Sequence, residues 1–287
     1  METKRATTYE EQLAKLRQRG CVVNDEERCL KILEVVNYYR LTAYFLPFRM
    51  GDDRYLPGTS FEKVYSIYEF DRQLRRVLFS ALEEIELALR SRIAYFFVHK
   101  YSPTAYLDGS FFSAKHDHDK FLDAFNKEIS RHAQALVVKH HKSKYDGIFP
   151  LWVAIEFFSF GMLSRFYADM VRADKKEFAR KYYGTDDKKM ASWLRCATDL
   201  RNICAHYDRL YYRIFTAIPA DIDGISAKQE RSLWATLLAI RNIYPDSNGW
   251  NEKVLPEIEG LLDNFGSYIR LDHIGFPDDW NTKAVSL

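Results

Sequence analysis

The chain has 287 residues and a formal net charge of +2, so overall charge does not announce a nucleic-acid binder and any such role must rest on local basic patches. Hydrophobic residues at 47% and charged residues at 29% exclude a disordered chain. Only 12 Gly and 8 Pro favour long helices over a many-stranded sheet.

The first dozen residues are polar and lack the apolar stretch of a signal peptide. A first helix is predicted from Tyr9 to Gln18, and a second from Asn24 or Asp25, with Cys29, Ile32, Leu33 and Val36 on one face. The stretch from Gly51 to Gly58 is turn chemistry and marks a domain seam. Thr59-Ser60-Phe61-Glu62 fits a capping box, and the apolar period then runs uninterrupted to about residue 100. A further helix is expected over 119–138, followed by a loop at the basic run Lys139 to Lys144. Pro150 opens the next helix, to about residue 170. The last long core helix begins at Asp186 or Asp187 and is predicted to reach Arg213. Helical segments over 227–243 and 251–265 and an irregular end complete the chain. The expected fold is an all-α bundle (57–218) with an N-terminal helical appendage (1–56) and a C-terminal helical extension (219–287).

The longest apolar run, Leu151 to Leu163, spans about 13 residues where a bilayer needs about 20. No membrane span and a cytoplasmic location are expected. Cys21, Cys29, Cys196 and Cys204 form no CxxC pair and have no HExxH nearby, which points to reduced thiols and away from a zinc site. His116-Asp117-His118-Asp119 is better read as a polar helix start than as a metal site. No metal and no cofactor are expected.

Chemistry concentrates in Arg201-Asn202-Ile203-Cys204-Ala205-His206-Tyr207-Asp208-Arg209-Leu210-Tyr211-Tyr212-Arg213. On a continuing helix Asn202, His206, Arg209 and Arg213 would fall within about 60° of one another, with Arg201 to one side. Leu200, Ile203, Cys204, Tyr207, Leu210 and Tyr211 would take the core arc. An imidazole titrates near neutral pH and so serves as general base or acid, and guanidinium groups stabilise the charge of a phosphorane. One His per chain cannot be acid and base together, so a symmetric dimer would supply the second. The spacing alone is uninformative: with 23 Arg and 8 His, an Arg followed by four to six residues and then His should arise about twice by chance.

The residues beyond the spacing carry more. Arg201-Asn202-Ile203-Cys204-Ala205-His206 with Arg209 resembles the RNxxAHxxR signature of HEPN proteins in the Abi-like (AbiD/AbiF) family. Asn37-Tyr38-Tyr39-Arg40-Leu41 with Tyr44, Pro47 and Phe48 resembles the family's YYRLxxYxxPF block, and Tyr68 to Arg75 its YxFDxxLR block. Glu84 to Ser91 resembles its EIExxLRS block, Phe158 to Ser164 its SFGxLS block, and Gly275-Phe276-Pro277 with Trp280 its closing GFPxxW. The resemblance implies a HEPN fold, often ribonucleolytic, in toxin-like defence against phage. It makes Arg201 and His206 catalytic, with Asn202 and Arg209 in support, RNA as substrate or as a bound structured partner, a homodimer, and an antitoxin as a further partner. In some HEPN toxins a Tyr two residues after the His is modified by a partner enzyme. Here that position is Asp208.

Ordinary readings stand beside these. Arg92 and His99 repeat the Arg–His spacing on a helix rich in Glu and read as a surface or inter-helix pair. Glu86 and Arg90 form an i,i+4 ion pair and, equally, could position the active-site Arg. Arg213 joins the basic face. Arg72, Arg75 and Arg76 read first as a solvated face and second as an RNA groove, and the basic run with His140 and His141 as an exposed loop or a phosphate contact. The aromatic residues mostly fill core, although some could stack on unpaired bases. The rival functions are a non-catalytic RNA-binding module and a helical adaptor for a protein partner.

Overall fold

A computed structural model describes residues 5–285. Among them there are ten helices of eight or more residues and no sheet. In chain order these are α1 (Tyr9–Gln18), α2 (Glu26–Val35), α3 (Phe61–Lys100), α4 (His118–Arg131), α5 (Leu136–Lys144), α6 (Phe160–Asp169), α7 (Arg172–Tyr183), α8 (Asp187–Ala205), α9 (Leu233–Ile243) and α10 (Leu255–Phe265). The chain is all-α, as its composition and periodicity predict.

The spine is α3, forty residues long and therefore about 60 Å end to end. Its buried face repeats at helical spacing: Phe61, Val64, Ile67, Leu74, Leu78, Leu82, Ile85, Leu89, Ile93 and Phe96. Ser60 caps it by accepting from the Lys63 amide. The expected capping box does not close, because Glu62 instead accepts from the Asn24 and Asp25 amides at 2.9 and 3.3 Å and so fixes the start of α2. The second long element is α8, capped by Asp186, and it packs against α3, α6, α7 and α9. Buried apolar side chains from Leu13 to Ala284 form one contiguous cluster.

Several expected elements need correction. The basic run is not a loop: Leu136–Lys144 is helix α5, in which His141 is buried against Phe149, with ring centroids 5.0 Å apart. The expected helix over 119–138 instead ends at Arg131 and gives way to turns before α5 begins. The expected helix over 151–170 is broken between Ala154 and Phe160, and Ser159 caps its second half, α6. Helix α7 lacks a strong apolar period, since only Asp174, Phe178 and Ala179 are buried, and it was not foreseen. The predicted segment over 227–243 starts only at Leu233, behind the Ser232 cap. The most consequential correction concerns α8, which stops at Ala205, eight residues before Arg213.

Candidate active site

Helix α8 ends in a Schellman turn. The Tyr207 amide donates to the Cys204 carbonyl at 3.2 Å and the Asp208 amide to the Ile203 carbonyl at 2.9 Å. Tyr207 sits at the left-handed position of that turn, φ +58°, where glycine is the usual occupant. The side chain there costs about 1 kcal/mol relative to glycine, so something else must hold the turn.

That something is a buried cluster on α3. Asp71 is fully buried. Its carboxylate accepts from the Leu210 amide at 3.0 Å, the Tyr211 amide at 2.6 Å and the Tyr44 hydroxyl at 2.6 Å, and it pairs with Arg75. Arg75, also buried, donates to the Asp208 carbonyl at 3.2 Å. Arg40 donates to the Tyr207 carbonyl. Burial pushes the Asp71 carboxyl up from its ordinary value, while Arg75 and the three hydrogen-bond donors pull it back. The Leu210 and Tyr211 amides, which a continued α8 would have paired internally, are thus claimed from α3, and the helix stops. The solvated reading of Arg75 is therefore wrong, whereas Arg72 and Arg76 are exposed.

This early stop rearranges the expected face. Asn202, His206 and Arg213 line one cleft of about 250 Å³, together with Asp199, Asp208 and Phe215. Arg213 reaches it from the loop and donates to the Arg209 carbonyl at 3.1 Å. Arg209 is not stacked above His206. It is half-buried, and the desolvation that comes with burial lowers its pKa. Its Nη1 has no hydrogen-bond partner. Tyr207, assigned to the core arc, is 68% exposed, while Leu200, Ile203, Cys204, Leu210 and Tyr211 are buried as expected.

Arg201 turns the other way, towards α3. Its Nε lies 3.8 Å from Glu86 Oε2 and has no hydrogen-bond partner, and its Nη1 donates to Asn202 Oδ1 at 3.4 Å. Glu86 also pairs with Arg90, which donates to the Ile155 and Phe158 carbonyls at 2.6 and 2.7 Å. Glu86, Arg90 and Arg201 share a pocket of about 400 Å³ with Phe79, Glu83 and Glu156. Asn202 thus stands between two surfaces, hydrogen-bonded to the arginine of one and lining the cleft of the other with His206.

Of the eight histidines, His206 alone has neither a hydrogen bond from its ring nor a ring contact among the described residues. His99, His132 and His141 each bond a backbone carbonyl one turn back. His116 and His118 bond each other, Asp169 and the Leu107 carbonyl, and Asp117 caps α4 as expected. His140 packs on Tyr145, and His273 bonds Tyr211. The core-histidine alternative therefore does not describe His206, which is exposed. Arg92 and His99 are not paired with each other. Arg92 lies over Tyr183 and donates to the Pro245 carbonyl. No group of three or more His, Cys, Asp and Glu residues able to hold a metal occurs among the described residues.

The residue that sequence reasoning passed over is Asp71. Its signal was present: one acidic side chain at a core position of α3, between Ile67 and Leu74.

The blocks at 37–48, 68–75 and 201–209, far apart in the chain, meet at this one helix end, and the block at 84–91 joins the one at 158–164 beneath Arg201. A family model described as Abi-like protein matches residues 31–212. The chain belongs to the Abi-like protein family. The match covers every converging block of this Abi-like chain and stops just after the Asp71-bound amides of Leu210 and Tyr211. Membership points to a function of the abortive-infection type. No curated protein and no solved structure matches the chain. Among the described residues no helix is long and apolar enough to cross a membrane.

Proposed function

We propose that this Abi-like chain is a metal-independent endoribonuclease of the HEPN kind, acting as a toxin in abortive infection, with a composite site formed by two copies. The observation that carries the reading is His206: exposed, unpartnered, and held on a helix end that buried groups fix from below. A histidine kept free of partners at such structural expense is available for proton transfer.

The chemistry follows from the residue types. The imidazole of His206 accepts the proton of a ribose 2′-hydroxyl as its oxygen attacks the adjacent phosphorus. The bond from phosphorus to the 5′-oxygen breaks, and the departing oxygen takes a proton from the imidazolium of the second copy. The products are a 2′,3′-cyclic phosphate and a 5′-hydroxyl. Arg201 stabilises the charge on the phosphorane through its forked donors, and Asn202, already bonded to Arg201, orients it. Glu86 and Arg90 position Arg201 from α3, and Arg209 and Arg213 add positive charge beside the cleft.

The test is cleavage of labelled structured RNAs, in EDTA, by the wild type and by His206→Ala. Wild type should cut and leave 2′,3′-cyclic phosphate ends, and the variant should lose about 10²- to 10⁴-fold in rate. In a mixture of equal parts wild type and variant, only about one quarter of randomly formed dimers carry two intact sites, so activity should fall to about that fraction of an all-wild-type sample. RNA binding without cleavage by wild type would replace this reading with an RNA-binding module, and equal cutting by both proteins would move the catalytic centre off His206.

A further inference from the structure

Beside the end of α8, on the face away from the His206 cleft, lies an open groove of about 810 Å³. One wall is α3, which contributes Tyr68, Arg72, Arg76 and Phe79. The other wall brings Arg40 and the ring of Tyr207, and Cys204 and Ala205 form the floor. The groove reaches into the Arg201 pocket, because Phe79 and Glu83 line both.

Two of the four arginines of this groove, Arg40 and Arg76, have no carboxylate partner among the described residues. Arg75 is spent on Asp71, and Arg72 shares its charge with Glu69. Arg40 gives one hydrogen bond to a neutral carbonyl. Arg76 is exposed and makes no hydrogen bond or ion pair among the described residues. Only one carboxylate, Glu83, lines the groove against four guanidinium groups. Between the arginines stand aromatic rings left open to solvent, Tyr207 at 68% and Phe79 at 40%. The helix end beneath carries the negative pole of α8, so a phosphate is welcome here only on the arginine side.

We infer that this groove seats an unpaired nucleotide of the RNA, its base against Tyr207 and Phe79 and its phosphate on Arg76 and Arg40, and leads the strand to Arg201. This rests on the RNA reading above. Aromatic faces alternating with arginines match splayed-out single-stranded bases, whereas a duplex keeps its bases stacked and is gripped by backbone and shape. The volume lies within the range of about 300–1,000 Å³ of pockets that enclose small ligands, which suits one nucleotide and not a helix. The groove is placed to choose where a strand is cut, by holding the nucleotide next to the scissile bond.

The experiment measures binding by fluorescence anisotropy with two labelled probes: a single-stranded 2′-O-methyl oligonucleotide, which lacks the attacking hydroxyl, and a duplex of the same chemistry. The proteins are the wild type, Arg76→Glu, Phe79→Ala and, on the basic face of α5, Lys142→Glu, each first shown to melt at the wild-type temperature. Arg76→Glu and Phe79→Ala should each weaken single-strand binding by about tenfold, and Arg76→Glu should reduce the salt slope by about 1. Duplex binding by Phe79→Ala should match wild type. Single-strand affinities of both groove variants within twofold of wild type would overturn the inference. So would a loss confined to Lys142→Glu, which leaves the RNA reading intact but puts the strand elsewhere. Failure of wild type to bind any RNA would remove the RNA reading itself.

Discussion

The two sides of the Asp208 peptide make opposite use of polar groups. Beneath it, Asp71, Arg75 and Tyr44 are buried with their partners in place: two amides, a hydroxyl, a carbonyl and an ion pair. Above it, His206 and Asn202 are exposed, and the imidazole bonds to nothing. The lower set resembles a small structural core made of charge, and the upper set is free to act on something else. A charged cluster that answers all its own hydrogen bonds is scaffold, and the groups left without partners at its edge are where chemistry should be sought.

The comparison is tested most severely from below. Asp71→Ala would strand the buried Arg75 and two backbone amides, and stability should fall by about 3–5 kcal/mol, read as the shift of the denaturation midpoint at unchanged slope. From above, His206→Ala should slow cleavage by about 10²- to 10⁴-fold while altering stability by no more than about 0.5 kcal/mol. A comparable stability loss in both variants would erase the distinction. A third measurement concerns His273, which lies at the edge of the cluster. Its Nδ1 is hydrogen-bonded with the Tyr211 hydroxyl at 2.8 Å, and that hydroxyl accepts from the Arg270 amide. Burial holds its pKa below the ordinary value, with Asp272 opposing. The unfolded chain then binds this proton more readily than the folded one, so stability is lost as pH falls through and below about 6.5. His273→Gln should flatten that part of the stability–pH curve, and an unchanged curve would show that the ring is free to protonate in the folded state. The smallest effect is expected at the turn itself: Tyr207→Gly should stabilise the turn by up to about 1 kcal/mol while weakening single-strand binding through loss of the ring.

How far the sequence could be read divides along the same line. The long helix α3, the Asp186 and Asp117 caps and the all-α class were legible, because apolar period and cap chemistry are local. The end of α8 was not. No residue from Tyr207 to Arg213 is a Gly or Pro, and the signal that stops the helix is Asp71, more than a hundred positions earlier. Helix α7 was missed because most of its surface is wet, and α5 because a basic run reads as a loop when its one buried histidine is not counted as apolar. For the site, the Arg–His spacing had no weight of its own, and the resemblance of whole blocks supplied it. The separation of Arg201 from His206 on two faces follows from their offset of about 140° on a helix, but the withdrawal of Arg209 from the stack depended on the early stop.

The reach of Asp71 also bears on how the protein is made. Its amide partners lie 139 and 140 residues further along the chain. At about 5–20 residues per second, a ribosome needs on the order of ten seconds after threading Asp71 before those partners exist at all. Tyr211 is then bonded by His273 and by the Arg270 amide, 62 and 59 residues further along again. The motif bearing His206 is therefore locked into shape only once His273 has been made, and a shorter nascent chain carries it on an unfastened helix end.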